Sequence, residues 1–485
     1  LLTKAVMLAV LNNMDEFEIA GQDEYTLSDF PVSPSSMLLA YLHMVSITSD
    51  EEAAAYLLRL RAIPRYLDQS LQRLSIGRKR GLTPVAHLVS NAIGQVDKYL
   101  ASAVDPLRNT AHAGFADEAS WAAEQQEILS TLVRPAFKNY RDALVADVLP
   151  TARDKEHVGL CHLPKGVERY QALVHAHTTT RRTAAEIHAA GLSQVAKVQE
   201  EFKELGAKVF GISDPATLFR HLNEDPSVRW HTREEIVKAA EVAVRRAEAE
   251  APKWFGTLPK DPCAITEVPD LEAEGSAPAY YMPPSLDGSR KGTYFQNTWK
   301  PEERTSFDLE SVAFHEAVPG HHFQICIAQD LEDLPLVRRL SMFTAYVEGW
   351  GLYSERLADE MGLYSSDLQR IGMLSADGWR AARLVVDTGM HAMGWTREQA
   401  LEYLLAACPI ARIDAEAEID RYIAYPGQAL SYMTGRLEIE RMRGECRRIA
   451  GEKFDLRAFH DTVLGNGALP LSVFAEAMTA WAATL

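Results

Sequence analysis

Along most of the chain apolar residues recur at three- and four-residue spacing, the pattern of helices that set one face against a core. Segments 50–75, 117–150, 183–206, 232–251, 307–331, 336–360, 366–394 and 428–450 carry it, and about fifteen helices are expected in all. Three of the expected starts place Thr three residues before Glu or Gln: Thr183 with Glu186, Thr232 with Glu235, and Thr396 with Gln399. That spacing lets each side chain satisfy the other's backbone donor at a helix N-terminus. The pattern fails between Ala251 and Arg304, where Pro and Gly recur and the runs 263–268, 279–282 and 293–298 are rich in aromatic and β-branched residues. Leu286-Asp-Gly-Ser289 separates the last two with a turn signal, so an antiparallel hairpin is expected at about 263–298. The fold class read from these elements is mainly α with a small antiparallel sheet. Residues 1–155 form an N-terminal helical region and 156–485 a second helical region that includes the hairpin.

Composition narrows the function. The 485 residues contain 50 basic and 67 acidic side chains, a formal net charge of −17. Nucleic acid is excluded as the main partner, because its phosphates demand clustered Lys and Arg. The five cysteines are widely spaced and odd in number, which argues against a disulfide framework or thiolate-bound zinc and suits a reducing compartment. No apolar run approaches the roughly 18 to 20 residues that span a bilayer, and no secretory signal is visible. A cytoplasmic protein without a membrane partner is expected; its oligomeric state is not legible.

The chemistry concentrates in Leu309-Glu-Ser-Val-Ala-Phe-His-Glu-Ala-Val-Pro-Gly-His-His-Phe-Gln324, which holds three of the chain's 15 histidines. Zinc hydrolases usually place two ligating histidines four apart on one helix, with a glutamate between them as base. Here the position four after His315 is Pro319, which neither ligates nor donates a helical hydrogen bond. A kink or bulge at Pro319 and Gly320 would return His321 to the side of His315. His322 shares a face with His315 on an undistorted helix but lies roughly 10 Å along it. The spacing therefore favours His321 as ligand and His322 as its neighbour. Glu348 stands in an otherwise apolar helix, where a buried carboxylate needs a cation or a metal; two histidines, a glutamate and water make an open catalytic zinc shell.

These residues and several others resemble the bacterial metallopeptidase-like family filed as domain of unknown function 885, with its HExxPGHHxQ signature. His315-Glu-Ala-Val-Pro-Gly-His-His-Phe-Gln324 matches that signature, Glu348-Gly-Trp-Gly-Leu-Tyr353 an EGWxLY element, Arg383-Leu-Val-Val-Asp-Thr-Gly-Met-His391 an RLxxDTGxH element, and Tyr425-Pro-Gly-Gln-Ala-Leu-Ser-Tyr432 a YPGQALSY element. Gly159 to Gly191 is similar to an N-terminal block, and residues 1 to about 150 match only loosely. Gly351 replaces the commoner alanine of the EGW element. The resemblance implies a large helical fold related to zincins of the thimet oligopeptidase and angiotensin-converting enzyme type, with metal-site helices at 307–331 and 336–360 and the sheet beside the cleft.

The expected function is hydrolysis of short peptides or small amides by one zinc per chain, held by His315, His321 and Glu348, with Glu316 as general base. Tyr432 and Tyr425 are candidates to stabilise the oxyanion, or are core tyrosines. Arg383, Asp387 and His391 recur at four-residue intervals and share a helix face. Arg383 would bind a substrate carboxylate and Asp387 or His391 would support the metal shell, unless Arg383 and Asp387 are simply an intrahelical ion pair. Arg436 is a second carboxylate candidate. Tyr281 and Asn297 of the hairpin would line the cleft, with a strand edge offered to an extended peptide. The rivals are a zinc amidase acting on a non-peptide substrate and a non-catalytic helical scaffold with a relic metal site.

Overall fold

Each of the three threonines expected to cap a helix does so in the reciprocal manner, its hydroxyl accepting from the backbone of the Glu or Gln that bonds back to it. The computed structural model describes residues 1–45, 47–110, 117–273 and 277–485; residues 274–276, within the expected hairpin segment, lie outside the described residues. The fold is mainly α, as the periodicity predicts.

The elements that position the site are, in chain order, α1 (Leu2–Ala20), α2 (Gly166–Thr178), α3 (Ala184–Phe210), α4 (Arg233–Glu250), β1 (Ala264–Glu267), β2 (Ala279–Met282), β3 (Thr293–Gln296), α5 (Leu309–Glu316), α6 (His321–Asp330), α7 (Thr344–Glu360), α8 (Asp367–Met393), α9 (Arg412–Ala424) and α10 (Ser431–Ala450). Residues between Leu27 and Val148 gather into a hydrophobic cluster of their own. Helix α1 instead packs along α2, and its Val6 joins the cluster formed by α4, α5, α7 and α10. The N-terminal helix thus belongs physically with the second half of the chain.

Three expectations are corrected. The sheet is mixed: β3 is central, antiparallel to β2 across the Leu286–Ser289 turn but parallel to β1, so the segment is a hairpin with an added parallel strand. The helix read at 307–331 is two helices, because Pro319 has no N–H to continue the ladder and the chain leaves helical geometry at Ala317. The helix read at 336–360 is likewise a single turn, Leu336–Arg339, followed by α7.

Helices α7 and α10 meet backbone to backbone. A Cβ on Gly435 would fall 1.7 Å from the Ala345 carbonyl oxygen, and one on Gly349 2.5 Å from the Gly435 backbone. Only glycine at both positions permits this approach, which fixes the height of Glu348 relative to Tyr432. Among the described residues no helix is long and apolar enough to cross a membrane.

Candidate metal centre

Helix α5 ends at Glu316, four residues form the break, and α6 begins at His321. Helix α7 buttresses the break: Trp350 Nε1 donates to the Pro319 carbonyl at 2.9 Å, and Ser354 Oγ to the same oxygen at 3.3 Å. The outcome is that His315 and His321, six apart in sequence, stand with ring centres 4.7 Å apart and planes at 87°. Glu348 of α7 completes the group, its Oε2 3.5 Å from the Nε2 of each histidine. One ligand atom from each residue lies within 4.8 Å of the others.

The group fits a divalent metal of the zinc type. Two imidazoles and one carboxylate, offered from three helices, are a donor set that leaves a coordination position open. His315 Nδ1 is 2.8 Å from Glu355 Oε1, which directs Nε2 at the centre, and Glu355 also accepts from Ser311 Oγ at 2.6 Å. A carboxylate behind a ligating histidine fixes its tautomer and raises its basicity. Glu355 was missed in the sequence, although it follows Glu348 by seven residues and so returns to the same face of an apolar helix two turns on. Gly351 matters more than its size suggests: a Cβ there would come within 2.7 Å of the His315 ring.

The charges of His315 and Glu348 reinforce each other. Burial alone would lower the His315 pKa, but Glu348 and Glu355 raise it to about 9. Burial alone would raise Glu348, but the two histidines hold its carboxyl far below the usual carboxylate range. A pocket that attracts a proton to neutral imidazole for these reasons attracts a metal cation for the same ones. Glu316 is half-buried at the end of α5. Burial pushes its carboxyl up, His321 and His315 pull it down, and the net shift is upward.

His322 faces away from this centre. Its Nδ1 accepts from the Tyr281 hydroxyl at 3.0 Å and its Nε2–H donates to the Asp261 carbonyl at 3.1 Å, so β2 and α6 are tied together through it. Tyr281 is thereby a fastener between sheet and helix. Asn297 is fully buried and spends its amide on Ala273 and Ala277 and its carbonyl on Trp299, so it organises a loop and does not line a cleft.

Tyr432 lies beside the centre, stacked over His315 at 6.4 Å. Tyr425 packs edge-on against His177 instead. Arg383 and Asp387 do not pair with each other. Arg383 reaches Glu418 of α9 at 3.1 Å and the Tyr422 hydroxyl at 2.8 Å. Asp387, buried and pushed up to about 7 by that burial, accepts from the Tyr170 hydroxyl at 2.5 Å and from the Gly427 N–H. His391 donates to the Tyr422 carbonyl and accepts from the Leu160 N–H. Asp387 and His391 therefore clamp α8 to α2, α9 and the turn before α10, where the sequence reading had them bracing the metal shell. Arg436 is 1% exposed and paired through Nη1 with Asp377 and through Nε with Glu440, so its charge is already matched inside the fold.

A family model described as bacterial protein of unknown function (DUF885) matches residues 2–478. Among solved structures, one described as a lipoprotein from Colwellia psychrerythraea is 30% identical, superposes with a TM-score of 0.88, and covers 95% of this chain and 82% of its own. Another, described as a lipoprotein of unknown function from Shewanella oneidensis, is 20% identical with a TM-score of 0.70 over 93% of this chain and 83% of its own, and bears on the fold alone. No curated protein matches.

Proposed function

The chain belongs to the DUF885 family of bacterial proteins of unknown function, and from the site just described we propose that it is a zinc-dependent hydrolase cleaving amide bonds of short peptides. The observation that carries this reading is the convergence of His315, His321 and Glu348 from three helices, with the half-buried carboxyl of Glu316 adjacent in sequence to the first ligand. A metal site that serves only the fold has no use for such a base.

Zinc, when bound by those three side chains, supplies Lewis acidity toward a carbonyl and toward water. Glu316 accepts the proton of the attacking water at its carboxylate and delivers it to the leaving nitrogen, a role worth roughly 10²- to 10⁴-fold in rate. Glu355 holds the His315 ring in the tautomer that keeps Nε2 free. Tyr432 offers a phenolic donor to the carbonyl oxygen as negative charge develops there. Strand β2 forms one edge of the sheet and lies against α5, so an extended peptide can pair along it.

The test combines metal analysis with hydrolysis of a peptide panel by the native protein and Glu316→Gln. About one zinc per chain in both proteins, with cleavage confined to the native one, is expected. Failure to take up zinc from a buffered zinc solution would overturn the reading, and zinc without cleavage of any peptide or amide would leave a scaffold with a relic site. The compartment is tested separately. Free cysteines, most of them buried, suit a reducing interior, whereas the two solved structures named above are described as lipoproteins. Recovery of the native gene product in washed membranes would place it with them, and recovery in the soluble cytoplasmic fraction would support the expectation from the cysteines.

A further inference from the structure

Helix α8 carries Trp379, Arg380 and Arg383 toward Tyr432 of α10. The guanidinium carbon of Arg383 is 4.5 Å from the Tyr432 ring centre and 4.6 Å from that of Trp379; for Arg380 the distances are 6.0 and 5.0 Å. Tyr432 is the ring stacked on the metal-ligand candidate His315.

The donors on these two arginines are not fully used. Arg383, 4% exposed, spends Nε on the Tyr422 hydroxyl and Nη2 on Glu418, but its buried Nη1 makes no hydrogen bond among the described residues. Glu418 is shared: Arg421 donates to it at 3.1 and 2.8 Å, so one carboxylate serves two guanidiniums. Arg380 has less still. Its one hydrogen bond is a 3.4 Å contact to the Ala376 carbonyl, its buried Nε has none, and no carboxylate among the described residues lies within ion-pair distance of it. A buried guanidinium N–H left without an acceptor carries an uncompensated desolvation cost. Two such orphans side by side, in a chain whose net charge is −17, mark a place prepared for an anion that the protein does not itself provide.

We propose that Arg380 and the free Nη1 of Arg383 form a carboxylate-binding wall beside the metal centre, and that the substrates are short peptides or acylated amino acids with a free C-terminal carboxylate. The planar fork of each guanidinium suits a planar two-oxygen acceptor. Trp379 and Tyr432 cover the faces of the guanidiniums and leave their edges to do the binding. Arg380 takes the place that the sequence reading gave to Arg436. That these ligands are substrates rests on the hydrolase reading; the carboxylate site does not.

The experiment is calorimetric titration of zinc-loaded Glu316→Gln protein, with and without Arg380→Ala, using a panel of di- and tripeptides, each as free acid and as C-terminal amide. Free acids should bind about ten- to a hundredfold more tightly than their amides, the usual worth of a charge-assisted pair. Arg380→Ala should erase that preference while zinc content stays unchanged. Equal binding of acid and amide, no detectable binding of either, or a preference that survives Arg380→Ala would overturn the inference. Turnover by the native protein on the same panel separates the two claims. Preference without cleavage sinks the hydrolase reading and keeps the carboxylate site; cleavage of acids and amides alike does the reverse.

Discussion

Glu355→Gln isolates what a buried carboxylate contributes from behind His315, a proposed metal ligand. The His315 and Glu355 side chains are 4% and 2% exposed and meet at 2.8 Å, so water screens their interaction very little. Glutamine keeps the size of the side chain. Its carbonyl oxygen can still accept from His315 Nδ1–H, and its amide can face the Ser311 hydroxyl, so the change removes charge and little else. A hydrogen bond to a charged partner is worth about 1.5–3 kcal/mol. Loss of a carboxylate behind a ligating histidine typically lowers metal affinity 10- to 100-fold, or about 1.4–2.7 kcal/mol. The two estimates overlap, and zinc affinity should fall by about one to two orders of magnitude. Competition with a chromophoric chelator at fixed pH measures it, with thermal unfolding of the metal-free protein as the control for folding. Unchanged zinc affinity in a variant that folds normally would refute the claim that Glu355 tunes the site.

Zinc should be lost from His321→Ala and Glu348→Ala but retained by His322→Ala, whose side chain is engaged by Tyr281 and the Asp261 carbonyl; metal loss in the last variant would reverse the ligand assignment. Asp387, ordinarily titrating near ~3.9, is raised by burial to about 7; between those values the native state holds a proton that the unfolded chain releases, so its stabilising contribution falls as pH rises. The stability advantage of the native protein over Asp387→Asn, measured by urea unfolding, should therefore shrink from pH 4 to pH 7, and a pH-independent gap would contradict this. Gly435→Ala places a Cβ 1.7 Å from the Ala345 oxygen; forcing the helices apart should cost about 1–3 kcal/mol or more, and an unaltered Tm would show that the contact relaxes freely.

What the sequence made legible follows from how local each signal is. Helix caps are written in three-residue spacings, and all three read from sequence form. The strands were legible in composition, but the parallel pairing of β1 with β3 joins residues 264 and 293 and has no local mark. The cluster of His315, His321 and Glu348 could be named because a proline at the fourth position rules out the regular spacing and leaves few alternatives. The ion pair that the spacing of Arg383 and Asp387 allows does not form, for the converse reason. Four-residue spacing says that two side chains share a helix face, yet each has a stronger partner on another helix: Glu418 for one, Tyr170 for the other. Glu355 and Arg380 were overlooked because neither is unusual in sequence; only burial and partner accounting set them apart.

Helix α7 explains how ligands from an interrupted helix come to a common point. It supplies Glu348 as proposed ligand, Glu355 as the group behind His315, and Trp350 and Ser354 as the donors that hold the Pro319 carbonyl of the break. Through Gly349 it also lies against the α10 backbone, which carries Tyr432. A regular helix with histidines four apart would need none of this, since its own geometry would deliver both rings. Once the spacing is six, a second helix must fix the direction of the first half, the return of the second, and the distance of both from the carboxylate. The residues that do so are the bulk of Trp350, the absence of side chains at Gly349 and Gly351, and two glutamates seven apart. Rigid support of this kind, backed by the apolar cluster drawn from α4, α5, α7 and α10, would hold the proposed ligands in place for a metal. A centre that is already assembled can keep one coordination position open for chemistry, which a metal needed to close the fold cannot do.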